Sequence, residues 1–121
     1  MTRILSLISI AAAVAAAAGC THKAPSPVKP RTVIIDVRTQ DEQQETGYIM
    51  GAMLIEHTAI HTEIKNSVPD TRTPIILYCR SGRRAEMAKS TLNSLGYKDV
   101  VNLGGLENAA KELSIPVVKV K

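Results

Sequence analysis

The sequence predicts a single α/β domain with a mostly parallel sheet. Short β-branched runs alternate along the chain with stretches of helical periodicity, and this strand-then-helix order is typical of parallel sheets. The chain has 121 residues, of which 45% are hydrophobic. That length suffices for one domain with its own core and is too short for two. The sequence shows no internal repeat, so a repeat architecture is not expected.

Four segments are predicted strands. The run 32–35 is β-branched and ends at Asp36, and the run 74–78 lies between a proline and a Ser-Gly turn. Both are therefore expected to be buried strands. Two weaker candidates of the same kind are 52–55 and 100–103, each close to a glycine.

Three short helices are expected between or after these strands. Thr39 and Glu42 have the spacing of a capping box, which predicts a short helix after the first strand. The segment 60–68 is the second helix. The third is Leu106–Leu113, which precedes the segment 115–118.

The clearest helix is predicted over 82–95, directly after the second strong strand. Its apolar residues fall on one stripe at three- and four-residue spacing, and Gly96 marks its end. The stripe consists of Ala85, Ala88, Leu92 and Leu95.

Residues 1–19 have the pattern of an export signal peptide. Arg3 supplies a positive start, and thirteen of the fifteen residues in 4–18 are apolar. A membrane span takes about 20 apolar residues, so a retained transmembrane helix is a poor interpretation. A buried core helix is the remaining alternative.

The small residues before Cys20 resemble the lipobox of bacterial lipoproteins, whose cysteine becomes the lipidated first residue of the mature chain. The resemblance implies a lipid anchor on Cys20, which would hold the protein at the periplasmic side of a bacterial membrane. Thr21 stands where inner-membrane lipoproteins carry Asp, which favours the outer membrane. Lipoboxes usually carry Leu at the position of Ala17. Cleavage after Ala18 by an ordinary signal peptidase, giving a soluble periplasmic protein, therefore stays open.

Residues 20–31 form a predicted tether between this signal and the domain at 32–121. The segment is rich in proline and lysine, with Pro25, Pro27, Pro30, Lys23 and Lys29. Such a composition favours an extended, semi-rigid chain.

The composition argues against nucleic-acid binding. The chain has no Phe, no Trp and three Tyr, so it has few side chains on which bases could stack. The net charge of +4 is a small excess that favours anionic partners in general.

Cysteine usage points to a functional thiol. The chain has two cysteines, and a lipid on Cys20 would leave Cys79 without a partner in an oxidising compartment, where thiols normally pair. The alternatives are an inert buried Cys79 or a Cys20–Cys79 disulfide.

The chemistry is expected at the junction between the second strong strand and the clearest helix. Cys79 is predicted at the carboxyl end of that strand, where ligand sites of open α/β sheets lie. A tight loop there points several backbone N–H groups inward, and the following helix adds its positive dipole end. The loop contains Arg80, Ser81, Gly82, Arg83 and Arg84. These surroundings favour a thiolate and hence a nucleophile.

Five segments in this order resemble the rhodanese family of sulfurtransferases. They are Ile35-Asp36-Val37-Arg38 with Glu42, Gly47-Tyr48-Ile49-Met50-Gly51-Ala52, Cys79-Arg80-Ser81-Gly82-Arg83-Arg84, Leu95-Gly96-Tyr97 and Asn102-Leu103-Gly104-Gly105-Leu106. The resemblance implies a small parallel sheet with helices on both faces and without the N-terminal strand and helix of longer rhodanese domains.

The resemblance also implies the reaction. Cys79 would take sulfane sulfur from a donor such as thiosulfate, form a persulfide and pass the sulfur to a thiophilic acceptor, for which cyanide serves in assays. The N–H groups of residues 80–84 would hold the charged sulfur, and Arg80, Arg83 and Arg84 would bind the anionic donor. No metal or organic cofactor is implied, and we expect a monomer.

Two other functions stay open. The family usually has a large aromatic after the double glycine, whereas this chain continues with Leu106 and no aromatic. A persulfide carrier or partner-binding module is therefore the main alternative. Cys-based phosphatases and arsenate reductases resemble rhodaneses in fold but place five residues between Cys and Arg. Here four residues separate Cys79 from Arg84.

The remaining polar candidates are interpreted as structural. Asp36 at a strand end is expected to pair locally, with Arg38 in the scaffold rather than the site. His57 and His61 are four residues apart, but no Glu or Cys lies at a matching spacing. We therefore expect them to be solvated polar residues and not metal ligands.

Overall fold

The computed structural model describes residues 30–121. The predictions for residues 1–29, which are the signal peptide, the lipidated Cys20 and nearly all of the tether, lie outside the described residues. The strands are β1 Val33–Asp36, β2 Tyr48–Ile49, β3 Met53–Leu54, β4 Ile75–Cys79, β5 Val100–Gly105 and β6 Val117–Val118. The helices are α1 Gln40–Thr46, α2 Ile60–Ser67, α3 Arg83–Ser94 and α4 Leu106–Leu113.

Four of the strands form one parallel sheet in the order β3-β1-β4-β5. The strand β4 therefore lies in the interior of the sheet, and both of its neighbours run in its direction. Its last residue, Cys79, is the register partner of Gly105 at the end of β5, after an irregularity that follows Leu77. The predicted α/β class with a mostly parallel sheet is confirmed, and the sheet brings Cys79 and Gly105 to the same edge.

Helices cover both faces of this sheet. Successive residues of a strand point to opposite faces, and in β4 the neighbours Leu77 and Tyr78 belong to two separate buried clusters. The larger cluster packs the sheet against α2 and α3, and the smaller packs it against α4 and β2. The stripe predicted on α3 lies in the larger cluster, with its first three residues buried and Leu95 packed against them.

The strands β2 and β6 form a second, antiparallel sheet that the sequence did not predict. Tyr48 pairs with Val118 and Ile49 with Val117. Each strand has only two residues, too few for a periodic signal, and the pairing joins distant parts of the chain. A Cβ on Gly47 would lie 2.5 Å from the Val118 carbonyl oxygen, which explains the glycine before β2.

The helix and strand bounds follow the predictions closely, and the differences have local causes. Gly82 has φ of +97° in the left-handed region, so α3 begins one residue later than expected, at Arg83. Pro74 has no N–H to donate to a ladder, and β4 begins at Ile75 and extends to Cys79. The helix Leu106–Leu113 is confirmed as predicted. Within residues 30–121 no helix has the length and apolar character that a membrane span requires.

Candidate active site

Cys79 lies at the end of β4 with a fully buried side chain. It carries a free thiol, and Cys20 lies outside the described residues. The backbone N–H of Gly82 points back at this sulfur and donates to Sγ at 3.0 Å. The chain thus turns around the thiol between the strand and the first turn of α3, as the sequence predicted.

The turn depends on the conformation of Gly82. Its positive φ lets the chain reverse direction before α3. Residues other than glycine adopt this backbone conformation much less readily. The carbonyl oxygen of Gly82 accepts from Glu86 N at 3.0 Å and from Asn102 Nδ2 at 2.9 Å. Both polar backbone groups of Gly82 therefore form hydrogen bonds: its N–H donates to the sulfur of Cys79, and its carbonyl oxygen accepts from α3 and β5.

Asn102 was not singled out in the sequence as a site residue. Its amide nitrogen donates to Gly82 O and to Glu86 Oε1 at 3.0 Å, and its Oδ1 accepts from Gly104 N at 2.9 Å. The side chain joins β5 to the Cys79 loop. The sequence signals were its place in a segment that resembles the rhodanese family and its position as a polar residue in a predicted strand close to two glycines.

The double glycine of β5 allows a close approach of two backbones. A Cβ on Gly105 would lie 2.5 Å from the Arg80 carbonyl oxygen, and a Cβ on Gly82 would lie 3.1 Å from Gly104 Cα. The loop after Cys79 therefore packs directly on the end of β5, because no side chain separates them.

The three arginines of the loop have different surroundings. Arg80 and Arg83 are exposed, as is Ser81, and neither arginine has an ion pair within residues 30–121. Arg84 instead donates from Nη1 and Nη2 to the two oxygens of Glu42, both at 2.7 Å. The sequence predicted that Arg84 binds the sulfur donor. In the structure its guanidinium is instead paired with the Glu42 carboxylate.

The same ion pair changes the titration of Glu42. The hydrogen bonds from Arg84 lower the pKa of the Glu42 carboxyl to about 2. Thr39 adds to this effect through the capping box, in which Thr39 N donates to Glu42 Oε2. Glu42 is therefore ionised in the folded protein at all ordinary pH values. The sequence identified Glu42 as a capping residue and as part of a segment that resembles the rhodanese family, but it did not indicate the contact with Arg84.

Asp36 and Arg38 form a buried ion pair at the end of β1. Arg38 Nε donates to Asp36 Oδ1 at 2.9 Å and Nη2 to Asp36 Oδ2 at 2.8 Å. Arg38 also donates to Thr46 Oγ1 and to the carbonyl oxygen of Gly47, and its guanidinium lies 5.7 Å from the ring centre of Tyr78. The predicted local pairing of Asp36 is confirmed. Arg38 connects β1 to the segment that leads into β2.

Two cavities adjoin the loop, and Arg38, Thr46 and Arg80 line both of them. The larger has a volume of about 230 Å³ and extends to Gly105 and the first turn of α4. Cys79 itself lines neither cavity, which agrees with its complete burial. Arg80, the residue after Cys79, is therefore the part of the loop that both cavities share.

Across residues 30–121, no three His, Cys, Asp or Glu side chains are grouped so that they could hold a metal ion. His57 is half-buried and His61 is exposed.

The chain is similar to known proteins over most of its length. It matches the rhodanese-like domain over residues 22–112. It is 35% identical to the thiosulfate sulfurtransferase PspE of Escherichia coli over 70% of this chain and 77% of that protein. It is 33% identical to the rhodanese domain-containing protein CG4456 of Drosophila melanogaster over 68% of this chain and 84% of that protein.

A solved structure agrees with these sequence relationships. A rhodanese with anions from E. coli superposes with a TM-score of 0.64 and 32% identity, covering 74% of this chain and 99% of that one. The predicted resemblance is confirmed in both sequence and fold, and this chain belongs to the rhodanese family.

Proposed function

We propose that the protein is a sulfurtransferase that moves sulfane sulfur from thiosulfate or a similar anionic donor to a thiophilic acceptor through a persulfide on Cys79. The observation that carries this proposal is the 3.0 Å hydrogen bond from Gly82 N to Cys79 Sγ at the amino end of α3. A backbone donor and a helix N-terminus together favour negative charge on the sulfur.

The proposed cycle has two displacement steps. The Cys79 thiolate attacks the outer sulfur of thiosulfate, the S–S bond of thiosulfate breaks, and sulfite leaves with the electron pair. The acceptor then attacks the outer sulfur of the persulfide and restores the Cys79 thiolate. Gly82 N–H stays in place through both steps, so the loop stabilises charge without reorganising.

The arginines divide between two tasks in this proposal. Arg80 and Arg83 have no ion pair among the described residues and are exposed, which suits them to attract a dianionic donor. Arg84 is held by Glu42 and supports the start of α3. Ser81 and Gly82 complete the loop through their backbone.

A non-catalytic persulfide carrier is the second candidate, because no large aromatic residue follows Gly105, where the family usually has one. Rapid multiple turnover by the purified protein supports the enzyme, and a single transfer to a partner protein supports the carrier. Phosphatase and arsenate reductase activity are not favoured, because the spacing from Cys79 to Arg84 is one residue short.

The test is to treat the protein with thiosulfate and measure its intact mass, then to measure thiocyanate formation from thiosulfate and cyanide. The wild type should gain the mass of one sulfur atom and turn over. Cys79→Ser should do neither while keeping its thermal unfolding midpoint. Cys20→Ser is the matched control and should keep both properties. Thiocyanate formation by the Cys79→Ser variant would contradict the proposal.

We also propose that the protein is exported and anchored through lipid on Cys20, since the pattern of residues 1–20 supports it. Membrane fractionation of cells that express the wild type and Cys20→Ala tests this. A soluble periplasmic wild-type protein that begins at Gly19 would contradict the anchor and support ordinary cleavage.

A further inference from the structure

The larger cavity is not lined by Cys79 itself, but it is lined by two residues adjacent to Cys79 in the fold. Arg80, which follows Cys79 in the chain, lines it, and so does Gly105, the register partner of Cys79 on β5. The first turn of α4 also lines it, with Glu107 and Asn108. At about 230 Å³ it is smaller than the pockets that take drug-sized ligands, which begin at about 300 Å³. A small metabolite is the ligand that such a volume suits.

The charges that this cavity offers to a ligand are one cation and one anion. Arg38 lines it too, but Asp36 already pairs with that guanidinium. Arg80 and Glu107 are exposed, and neither forms an ion pair with any residue in 30–121. Both residues line the same cavity and do not pair with each other, so the cavity has one positive and one negative group available to a ligand.

We propose that this cavity is the acceptor subsite and that it favours a zwitterionic aminothiol, with the ligand carboxylate at Arg80 and the ligand ammonium at Glu107. This inference rests on the sulfurtransferase function proposed above. A ligand that carries both charges and a thiol matches the two free side chains and the adjoining sulfur. The Glu107 carboxylate would repel an anion such as thiosulfate, so this cavity disfavours the donor.

Use of Arg80 by both substrates is consistent with the order of the reaction. In a two-step displacement the donor's product leaves before the acceptor binds. Arg80 is therefore free of sulfite when the acceptor arrives, and one guanidinium can serve the two anionic groups in turn. Glu107 then distinguishes the acceptor from the donor.

The transfer itself balances without an oxidant. The acceptor thiolate attacks the outer sulfur of the Cys79 persulfide, a new S–S bond forms on the acceptor, and the S–S bond to Cys79 breaks. The electron pair of the broken bond returns to Cys79 as a thiolate. The acceptor leaves as a persulfide, and the proton that its thiol lost goes to solvent.

The test is a single-turnover comparison of three thiols. The protein is loaded with thiosulfate, its persulfide is confirmed by intact mass, and the rate of persulfide loss is measured with L-cysteine, cysteamine and 3-mercaptopropionate, each corrected for its thiolate fraction. The last two probes carry only the ammonium and only the carboxylate. We expect L-cysteine to react fastest, and each missing charge should cost roughly two- to fivefold, the effect of a solvent-exposed ion pair.

Variants of α4 assign this preference to Glu107. Glu107→Gln should slow L-cysteine and cysteamine by roughly two- to fivefold relative to 3-mercaptopropionate. Glu107→Lys should make 3-mercaptopropionate clearly faster than cysteamine, a gain that misfolding cannot imitate. Glu112→Gln removes the same charge from an exposed position on the same helix that does not line the cavity, and it should leave the ranking unchanged.

Three results would overturn the inference. One is an equal rate for all three thiols with the wild type, and another is the same change in ranking for Glu107→Gln and Glu112→Gln. Both leave the sulfurtransferase function intact if the persulfide forms and cyanide discharges it. Failure of the wild type to form a persulfide would overturn the proposed function and this inference together.

Discussion

The guanidinium of Arg84 lies in a fork with both carboxylate oxygens of Glu42, at 2.7 Å each. The two side chains are 26% and 23% exposed, so water only partly screens the pair. Glu42 lies in the first turn of α1 and Arg84 in the first turn of α3. The ion pair therefore fixes the helix that follows Cys79 to the segment that follows β1.

Glu42→Gln is expected to lower the free energy of unfolding by roughly 0.5–1 kcal/mol, because it removes the charge from a bidentate pair. A glutamine side chain can still form the capping-box hydrogen bond with Thr39. The loss of stability therefore measures mainly the interaction with Arg84. Urea unfolding at pH 7 measures it. Asp41→Asn is the matched control, since Asp41 is exposed in the same turn with no ion pair in the described part of the chain.

The pair can be isolated by a double-mutant cycle. Glu42→Gln and Arg84→Ala should each destabilise the protein, and together they should cost less than the sum of the two, since both remove one interaction. Strict additivity would show that the contact contributes nothing to stability.

The stability of the fold should depend on pH in acid through Glu42. Hydrogen bonds from Arg84 lower the pKa of this carboxyl from 4.5 to about 2. A lowered folded-state pKa stabilises the protein fully above the unfolded value and loses that contribution as pH falls. The wild type should therefore lose stability between about pH 5 and pH 2. Glu42→Gln should lose less over the same range, as measured by thermal unfolding at several pH values. Parallel curves for the two proteins would contradict this assignment.

The sequence predicted the parts of the fold whose signals are local. The run that became β4 is a continuous apolar segment, the stripe on α3 has helical spacing, and the capping box joins Thr39 and Glu42, three residues apart. The position of Cys79 at the strand end followed from these elements. The pairing of β2 with β6 did not, since two-residue strands have no period and their register depends on the packed domain.

The same contrast between local and long-range signals explains which parts of the candidate site could be predicted. The loop of residues 80–84 is continuous in sequence and could be identified there. The partners that hold it come from distant segments: Glu42 reaches Arg84 across 42 positions, and Asn102 reaches Gly82 across 20. One sequence gives no sign that a carboxylate neutralises Arg84, so all three arginines were assigned to the donor.

Gly105→Ala is expected to impair the loop through a steric clash. The φ of Gly105 is −89°, which alanine adopts without strain, but the added Cβ would lie 2.5 Å from the Arg80 carbonyl oxygen. Two backbone segments must separate, at a cost of roughly 1–3 kcal/mol, and the Cys79 loop moves with them. We expect slower persulfide formation along with lower stability.

Gly51→Ala serves as a control that separates the loss of stability from the loss of persulfide formation. No atom lies within 4 Å of a Cβ at Gly51, but its φ of +90° disfavours a side chain. This variant should lose roughly 1 kcal/mol of stability through backbone strain and keep the wild-type rate of persulfide formation. If Gly105→Ala also keeps that rate, the close contact with Arg80 does not position the loop.

Asn102→Asp should remove the hydrogen bond between this side chain and the Gly82 carbonyl oxygen. The substitution keeps an oxygen to accept from Gly104 N, but it replaces the Nδ2 donor with an acceptor opposite Gly82 O and Glu86 Oε1. Unsatisfied and repelling groups in a half-buried position should cost about 1–3 kcal/mol at pH 7.

The loss should be smaller at low pH, because a protonated carboxyl can donate to Gly82 O. The Gly82 N–H that contacts Cys79 Sγ belongs to the residue that Asn102 holds, so persulfide formation with thiosulfate should slow at pH 7 as well. Asn93→Asp adds the same charge at an exposed position on α3 and serves as the control. Stability and the rate of persulfide formation, measured at pH 4 and pH 7 for both variants, decide the matter. An Asn102→Asp variant that behaves like Asn93→Asp at both pH values would show that the loop keeps its place around Cys79 without β5.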